Sequence, residues 1–168
     1  MLGESTLVRL KTQLDVLPLL LRGATPDMMI SRRASGEWSP HENLAHLARH
    51  HAVFLERLQR IITEDVPKLD RYRAEEDSDW SEWASLTTDE VISRLNALRA
   101  KILQFVNGLS ETEANRIGIH PTLGQMDVGH WLEFFLLNEA HHLYKVLIGL
   151  GEAKRARCSE GASVLTTL

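Results

Sequence analysis

Apolar residues recur along this chain at intervals of three and four, and glycine and proline divide them into four long stretches. Leu7, Leu10, Leu14, Leu17 and Leu21 fall on one stripe. Their spacing predicts a first helix from Ser5 or Thr6 to Leu21, with Pro18 loosening its last turn. Ser39-Pro40-His41-Glu42 reads as an N-cap, a proline at the first helical position and a capping glutamate. Behind it Leu44, Leu47, Phe54, Leu58 and Ile61 predict a second helix to about Thr63, closed off by Pro67. Thr87 or Thr88, with Glu90, opens a third helix through Val91, Leu95, Leu98, Ile102 and Val106 to Gly108. Ser110 and Glu113 open a short helical turn in the same way. The fourth helix is predicted from about Asp127 to Leu150, with Gly151 as its stop. Trp131, Leu132, Phe134, Phe135, Leu136 and Leu137 leave it apolar on more than one side, as in a largely buried helix.

No stretch alternates at period two with β-branched enrichment, so no strands are expected, and His120-Pro121-Thr122-Leu123-Gly124 reads as a turn. Residues 65–86 form a long connection between the second and third helices, with room for a short helix. Trp80 and Trp83 are expected to pin it to the body of the protein. The expected fold class is therefore all-α, a four-helix bundle. It occupies residues 1–151, and residues 152–168 form a polar tail.

Composition narrows the function. At 168 residues the chain fits one domain with an ample core. A net charge of −4 and scattered cations give no basic face, which excludes a nucleic-acid partner. Lys154, Arg155 and Arg157 read as a solvated cluster. The apolar run from Val16 to Leu21 is too short to span a bilayer, and the first residues lack the basic start of a signal peptide. The single cysteine, Cys158, rules out an internal disulfide and suits a reducing, cytoplasmic setting. Its place in the expected tail argues against a cysteine nucleophile. No phosphate loop, dinucleotide fingerprint or serine elbow is present.

Eight histidines are many for this length, and five fall in two short windows. His46 and His50 lie four apart, on one face of the second helix; His51 falls nearest the middle of that helix's apolar stripe. On the fourth helix Trp131, Phe135, Asn138, His142 and Val146 share a face. Bundles bind metals by projecting such side chains inward from facing helices. By periodicity alone, His51 or His50 is nominated before His46.

The order Trp38-Ser39-Pro40, Leu44-Ala45-His46-Leu47, then Leu98-Arg99, Leu103, Leu109-Ser110, Arg116, His120-Pro121, Leu123-Gly124 and His142-Leu143 resembles the DinB-like superfamily. The resemblance runs from about residue 5 to residue 150. It implies a four-helix bundle, commonly a homodimer, that acts on a small-molecule substrate as a metal-dependent hydrolase or low-molecular-weight-thiol transferase. It also implies a divalent metal, nickel or zinc, held by one histidine of the second helix and two of the last. Carried across, the ligands are His46, Asn138 and His142. Asn138 departs from the pattern, since an amide offers only a carbonyl oxygen. Lys145 stands where family members often carry glutamine. Three readings follow: His50 substitutes as the third ligand; Asn138 or Glu139 completes a weaker site; or metal binding is lost and a non-catalytic, partner-binding bundle remains. His50, Glu139 and Tyr144 are the candidates for supplying a proton.

Overall fold

The structure, a computed structural model, describes residues 2–33 and 35–165, with side chains through Arg157. Capping chemistry sets the main helix starts. Ser39 and Thr87 each accept a bond from the backbone N–H three residues on, and the glutamate there returns a bond to the cap's own N–H. Each cap contributes about 1 kcal/mol. They open α4 (Pro40–Thr63) and α6 (Thr88–Asn107), as the spacing predicts. Ser110 repeats the device for α7 (Glu111–Ala114).

The first predicted helix is broken into α1 (Glu4–Thr12), a 3-10 turn (Gln13–Val16) and α2 (Leu17–Leu20). Pro18 has no N–H to give and its ring crowds the carbonyl four residues back, so the tightening falls on the turn before it. α3 (Pro26–Ile30), capped by Thr25, follows. The connection after α4 holds a 3-10 turn (Ala74–Glu76) and α5 (Trp80–Ser85). Both tryptophans pin it: Trp80 stacks on Trp38 at 5.2 Å, and Trp83 lies 5.1 Å beneath the Arg94 guanidinium.

Two expectations fail. Ile117–His120 (β1) and Gly124–Asp127 (β2) form an antiparallel hairpin in which Gly118 faces Met126. Four-residue strands are too short to show alternation, and their stability comes from tertiary packing. Gly124, at φ +77°, makes the turn, and a Cβ on Gly118 would stand 2.8 Å from Ile61 Cγ1. β1 also pairs with the connection: Leu69 donates to the Ile119 carbonyl at 3.0 Å, and Ile119 donates to the Pro67 carbonyl at 2.8 Å. Nor does the last helix stop at Gly151. α8 runs Val128–Leu165, so the expected tail is helical as far as it is described. Glu152, Ala153, Lys154, Arg155 and Ala156 are strong helix formers that outweigh one glycine. Arg33 grips Glu152 at 2.8 and 2.9 Å, and Arg157 reaches the Thr25 hydroxyl at 2.8 Å. Residues 166–168 and the Cys158 side chain lie outside the described residues.

The bundle is formed by the α1–α2 stretch, α4, α6 and α8, with α4 packed against both α6 and α8. Its core has two apolar clusters. One gathers Leu10, Phe54, Ile61, Ile102, Trp131 and Phe135; the other gathers Leu14, Leu44, Leu47, Leu95, Val146 and Leu150. Between them each long helix contributes a polar atom. Arg99 of α6 donates through Nη1 to the Leu10 carbonyl at 2.6 Å. Its Nη2 donates to His51 of α4 at 2.9 Å and to Glu139 of α8. Gln13 donates to Glu139 at 2.8 Å. Among the described residues, no helix is long and apolar enough to cross a membrane.

Candidate functional site

On one flank of α4, at about 100° per residue, His46, His50 and Arg57 fall within roughly 40° of one another. α8 faces them with Phe134, Asn138 and His142, and the connection covers the gap with Tyr72 and Arg71. The result is a cavity of about 560 Å³ that all four predicted site residues line: His46, His50, Asn138 and His142. The connection is held over it by Arg49, which pairs with Asp77 at 2.7 and 3.2 Å, and by Arg57, which donates to the Asp70 carbonyl.

His46 and His142 are neighbours, with ring centroids 4.2 Å apart. The His50 ring lies parallel to His46 at 5.8 Å, and Tyr72 stacks on both, at 5.5 and 5.6 Å. Trp38 closes the side of His46 at 5.0 Å. Burial, and secondly the nearby His141, lower the His46 pKa to about 4. Burial and then the His46 charge lower His142 to about 3. Burial likewise holds His50 well below the ordinary imidazole value. All three are neutral at neutral pH, so each keeps a nitrogen lone pair.

One tautomer is set by the structure. Asn43 donates through Nδ2 to the carbonyls of Trp38 at 3.2 Å and Ser39 at 2.9 Å. Its Oδ1 therefore accepts, and the His142 Nδ1–H donates to it at 2.9 Å. The lone pair of His142 sits on Nε2. The buried atoms around the cavity without a hydrogen-bond partner include His46 Nδ1, His50 Nδ1 and Asn138 Oδ1. An unsatisfied buried polar atom costs about 1–3 kcal/mol, so such a cluster favours a bound cation or polar ligand.

The donor set fits a divalent metal in part. His46 and His142 offer imidazoles, and Asn138 offers an amide oxygen where a third imidazole would bind more tightly. Among the described residues, no group of three or more histidine, cysteine, aspartate or glutamate side chains is arranged to hold a metal. Glu139 does not join. It turns away from Asn138 into the polar layer, fully buried, with Oε2 3.1 Å from His51 Nε2. His51, nearest the middle of the stripe, likewise belongs to that layer; its Nδ1–H donates to the Leu47 carbonyl at 2.7 Å. Tyr144 is exposed and lines no part of the cavity.

Asn43, Arg57 and Tyr72 join the site without having been marked in the sequence, and His120, marked there only as part of a turn and of the family pattern, lines the cavity as well. His120 packs between Trp131 and Phe134, and its Nδ1 accepts from the backbone N–H groups of Thr122 and Leu123, both at 3.1 Å. A signal existed for Arg57, a charged residue on the flank that carries His46 and His50. Asn43 gave none.

A four-helix bundle with a histidine-lined cavity between its second and last long helices is the class this geometry defines. The chain belongs to the DinB superfamily, whose family model matches residues 9–145. Among curated proteins it is 26% identical, over 137 residues and 78% of each chain, to an Oceanobacillus iheyensis protein named "putative metal-dependent hydrolase". Its fold matches YfiT of Bacillus subtilis, described as a probable metal-dependent hydrolase with an unusual four-helix bundle topology. That match has a TM-score of 0.73 at 18% identity and covers 92% of this chain and 86% of the other. It also matches TT2238, a four-helix bundle protein, with a TM-score of 0.62 at 24% identity, covering 85% and 96%.

Proposed function

We propose that the cavity is the site of metal-dependent hydrolysis of a small molecule, with His46, His142 and Asn138 as the protein ligands. The observation that carries this is the meeting of two neutral imidazoles, 4.2 Å apart, in a cavity that Asn138 also lines with a buried, unpartnered amide oxygen. The Oceanobacillus relative's name supports the same reaction class. Held by these residues, a divalent ion such as nickel or zinc would supply Lewis acidity and lower the pKa of a bound water or small-molecule thiol toward neutral. The chain's own residues do the rest. Asn43 keeps the lone pair of His142 on Nε2. His50, one turn beyond His46 and neutral, is placed to take a proton at its free Nδ1. Trp38, Tyr72 and Phe134 wall the site and orient a substrate.

The test is metal stoichiometry. Purified chain is loaded with nickel or zinc, dialysed and assayed by elemental analysis. The expected result is one metal per chain, lost in His142→Ala. Asn138→His, which replaces the weak oxygen donor with a third imidazole, should tighten binding at least about tenfold. Wild-type protein that retains no stoichiometric metal overturns the proposal and leaves a bundle without metal chemistry.

A further inference from the structure

The end of the cavity away from His46 carries a charge that the metal reading does not use. Arg57 lines the cavity, yet it is only 8% exposed. Its guanidinium donates through Nη2 to the Asp70 carbonyl and lies 5.9 Å from the centre of the Trp131 ring. Among the described residues no carboxylate comes within ion-pairing distance of it; the Asp70 charge acts on it only from farther off. The other buried arginine, Arg99, has Glu139. A guanidinium stays charged at any physiological pH. A buried charge is strongly unfavourable unless closely paired, so one that faces a cavity without a carboxylate in contact marks a place for an anion.

The surroundings agree in sign. Arg71 and Arg73 line the same cavity, with Glu75 the one acidic residue among its lining. Arg73 is paired outward with Glu76 at 2.6 Å, whereas among the described residues no carboxylate pairs with Arg71. Thr122 adds a hydroxyl and His120 a ring. The two ends of the cavity are separated along α4. Arg57 lies seven positions beyond His50, roughly 10 Å at the helical rise.

We infer that Arg57 is the anchor for an anionic oxygen group, a carboxylate or a phosphate, at one end of an elongated small-molecule substrate. The guanidinium fork matches both groups through two parallel hydrogen bonds. The other end of the molecule then lies toward His46 and His142. Arg57 is a binding and positioning residue that fixes where along the cavity the substrate sits. This rests on reading the cavity as the reaction site.

The experiment is calorimetric titration of the full chain, with chelator present, using inorganic phosphate, glutarate and the neutral diamide glutaramide in separate arms. Phosphate or glutarate should bind saturably with a dissociation constant below about 10 mM, and glutaramide should not. The tighter of the two anions identifies the headgroup class. Arg57→Met should weaken that anion at least tenfold and Arg57→Lys by less, while Lys101→Ala, on the exposed face of α6 and away from the cavity, leaves it unchanged. Should Arg57→Met not fold, wild-type protein is treated with phenylglyoxal and peptide-mapped; the tighter anion should protect Arg57 from modification. Failure of both anions to bind wild-type protein, equal binding of glutaramide, or no protection of Arg57 each overturns the inference. Because the titration is metal-free, anion binding without metal loading defeats the metal proposal alone. Metal loading without anion binding defeats this one alone.

Discussion

At the scale of single residues, the setting of His142 depends on a side chain that does not line the cavity. Asn43 sits in the first turn of α4, where its amide is locked by the Trp38 and Ser39 carbonyls. Only then does its oxygen meet His142, 99 positions along the chain. Partners of this kind fix the tautomer of a ligating histidine, and their loss typically costs 10–100-fold in metal affinity. Asn43→Ala is therefore expected to weaken nickel or zinc binding by about that factor. It should also lower folding stability by about 1–3 kcal/mol, because it leaves the Trp38 carbonyl and an imidazole N–H without partners, while the Ser39 carbonyl keeps its bond from the Asn43 backbone N–H. Paired metal titration and urea denaturation read both effects. Unchanged metal affinity in a folded variant would show that His142 needs no such support. None of this is legible in the sequence. His46 and His142 are marked by their spacing and by the family pattern, whereas the role of Asn43 exists only once the cap has turned and α8 has docked.

At the scale of elements, the polar layer formed by Gln13, His51, Arg99 and Glu139 joins all four long helices between two apolar clusters. Helical projection identifies His51 as the most central histidine of α4, which is correct. Centrality here means a structural partner, since His51 and Glu139 are both 0% exposed and bonded within the layer. Glu139 looks like a spare ligand beside Asn138, but one residue along a helix turns a side chain by about 100°, and that sends it into the layer. Removing one member strands a buried charge. Glu139→Leu is expected to cost about 3–5 kcal/mol, as would Arg99→Met. The double variant should be less damaging than the two losses added together, since no lone charge remains. A double-mutant cycle by chemical denaturation measures this, and strict additivity would mean that the two residues act independently.

At the scale of the whole molecule, the bundle was readable because its cues are local: capping serines and threonines, and leucines every three or four positions. The hairpin and the extension of α8 past Gly151 were not, because both depend on distant partners such as Ile61 for Gly118 and Arg33 for Glu152. The same dense burial that hides these contacts has a consequence for acid stability. Burial lowers the pKa of His46, His50, His51, His120 and His142. An unfolded chain takes up protons at these rings below about pH 6.5, while the folded chain refuses them until lower pH. Stability contributed by a lowered histidine is therefore complete above 6.5 and is lost as pH falls. For His46 the loss extends down to about 4, and for His142 to about 3. Within that window each ring costs about 1.4 kcal/mol per pH unit. Two rings together cost about 3 kcal/mol per unit, against a total stability of roughly 5–15 kcal/mol for a typical domain. The paired carboxylates, whose pKa values are lowered from the ordinary carboxylate value near 4, act in the same direction only at still lower pH. Metal-free protein, denatured in urea between about pH 7.5 and pH 5, should thus lose about 4 kcal/mol through His46 and His142 alone. His142→Phe should make the dependence shallower by about 1.4 kcal/mol per unit. A flat profile across that range would mean that the histidines are far more solvated than their burial in this bundle allows.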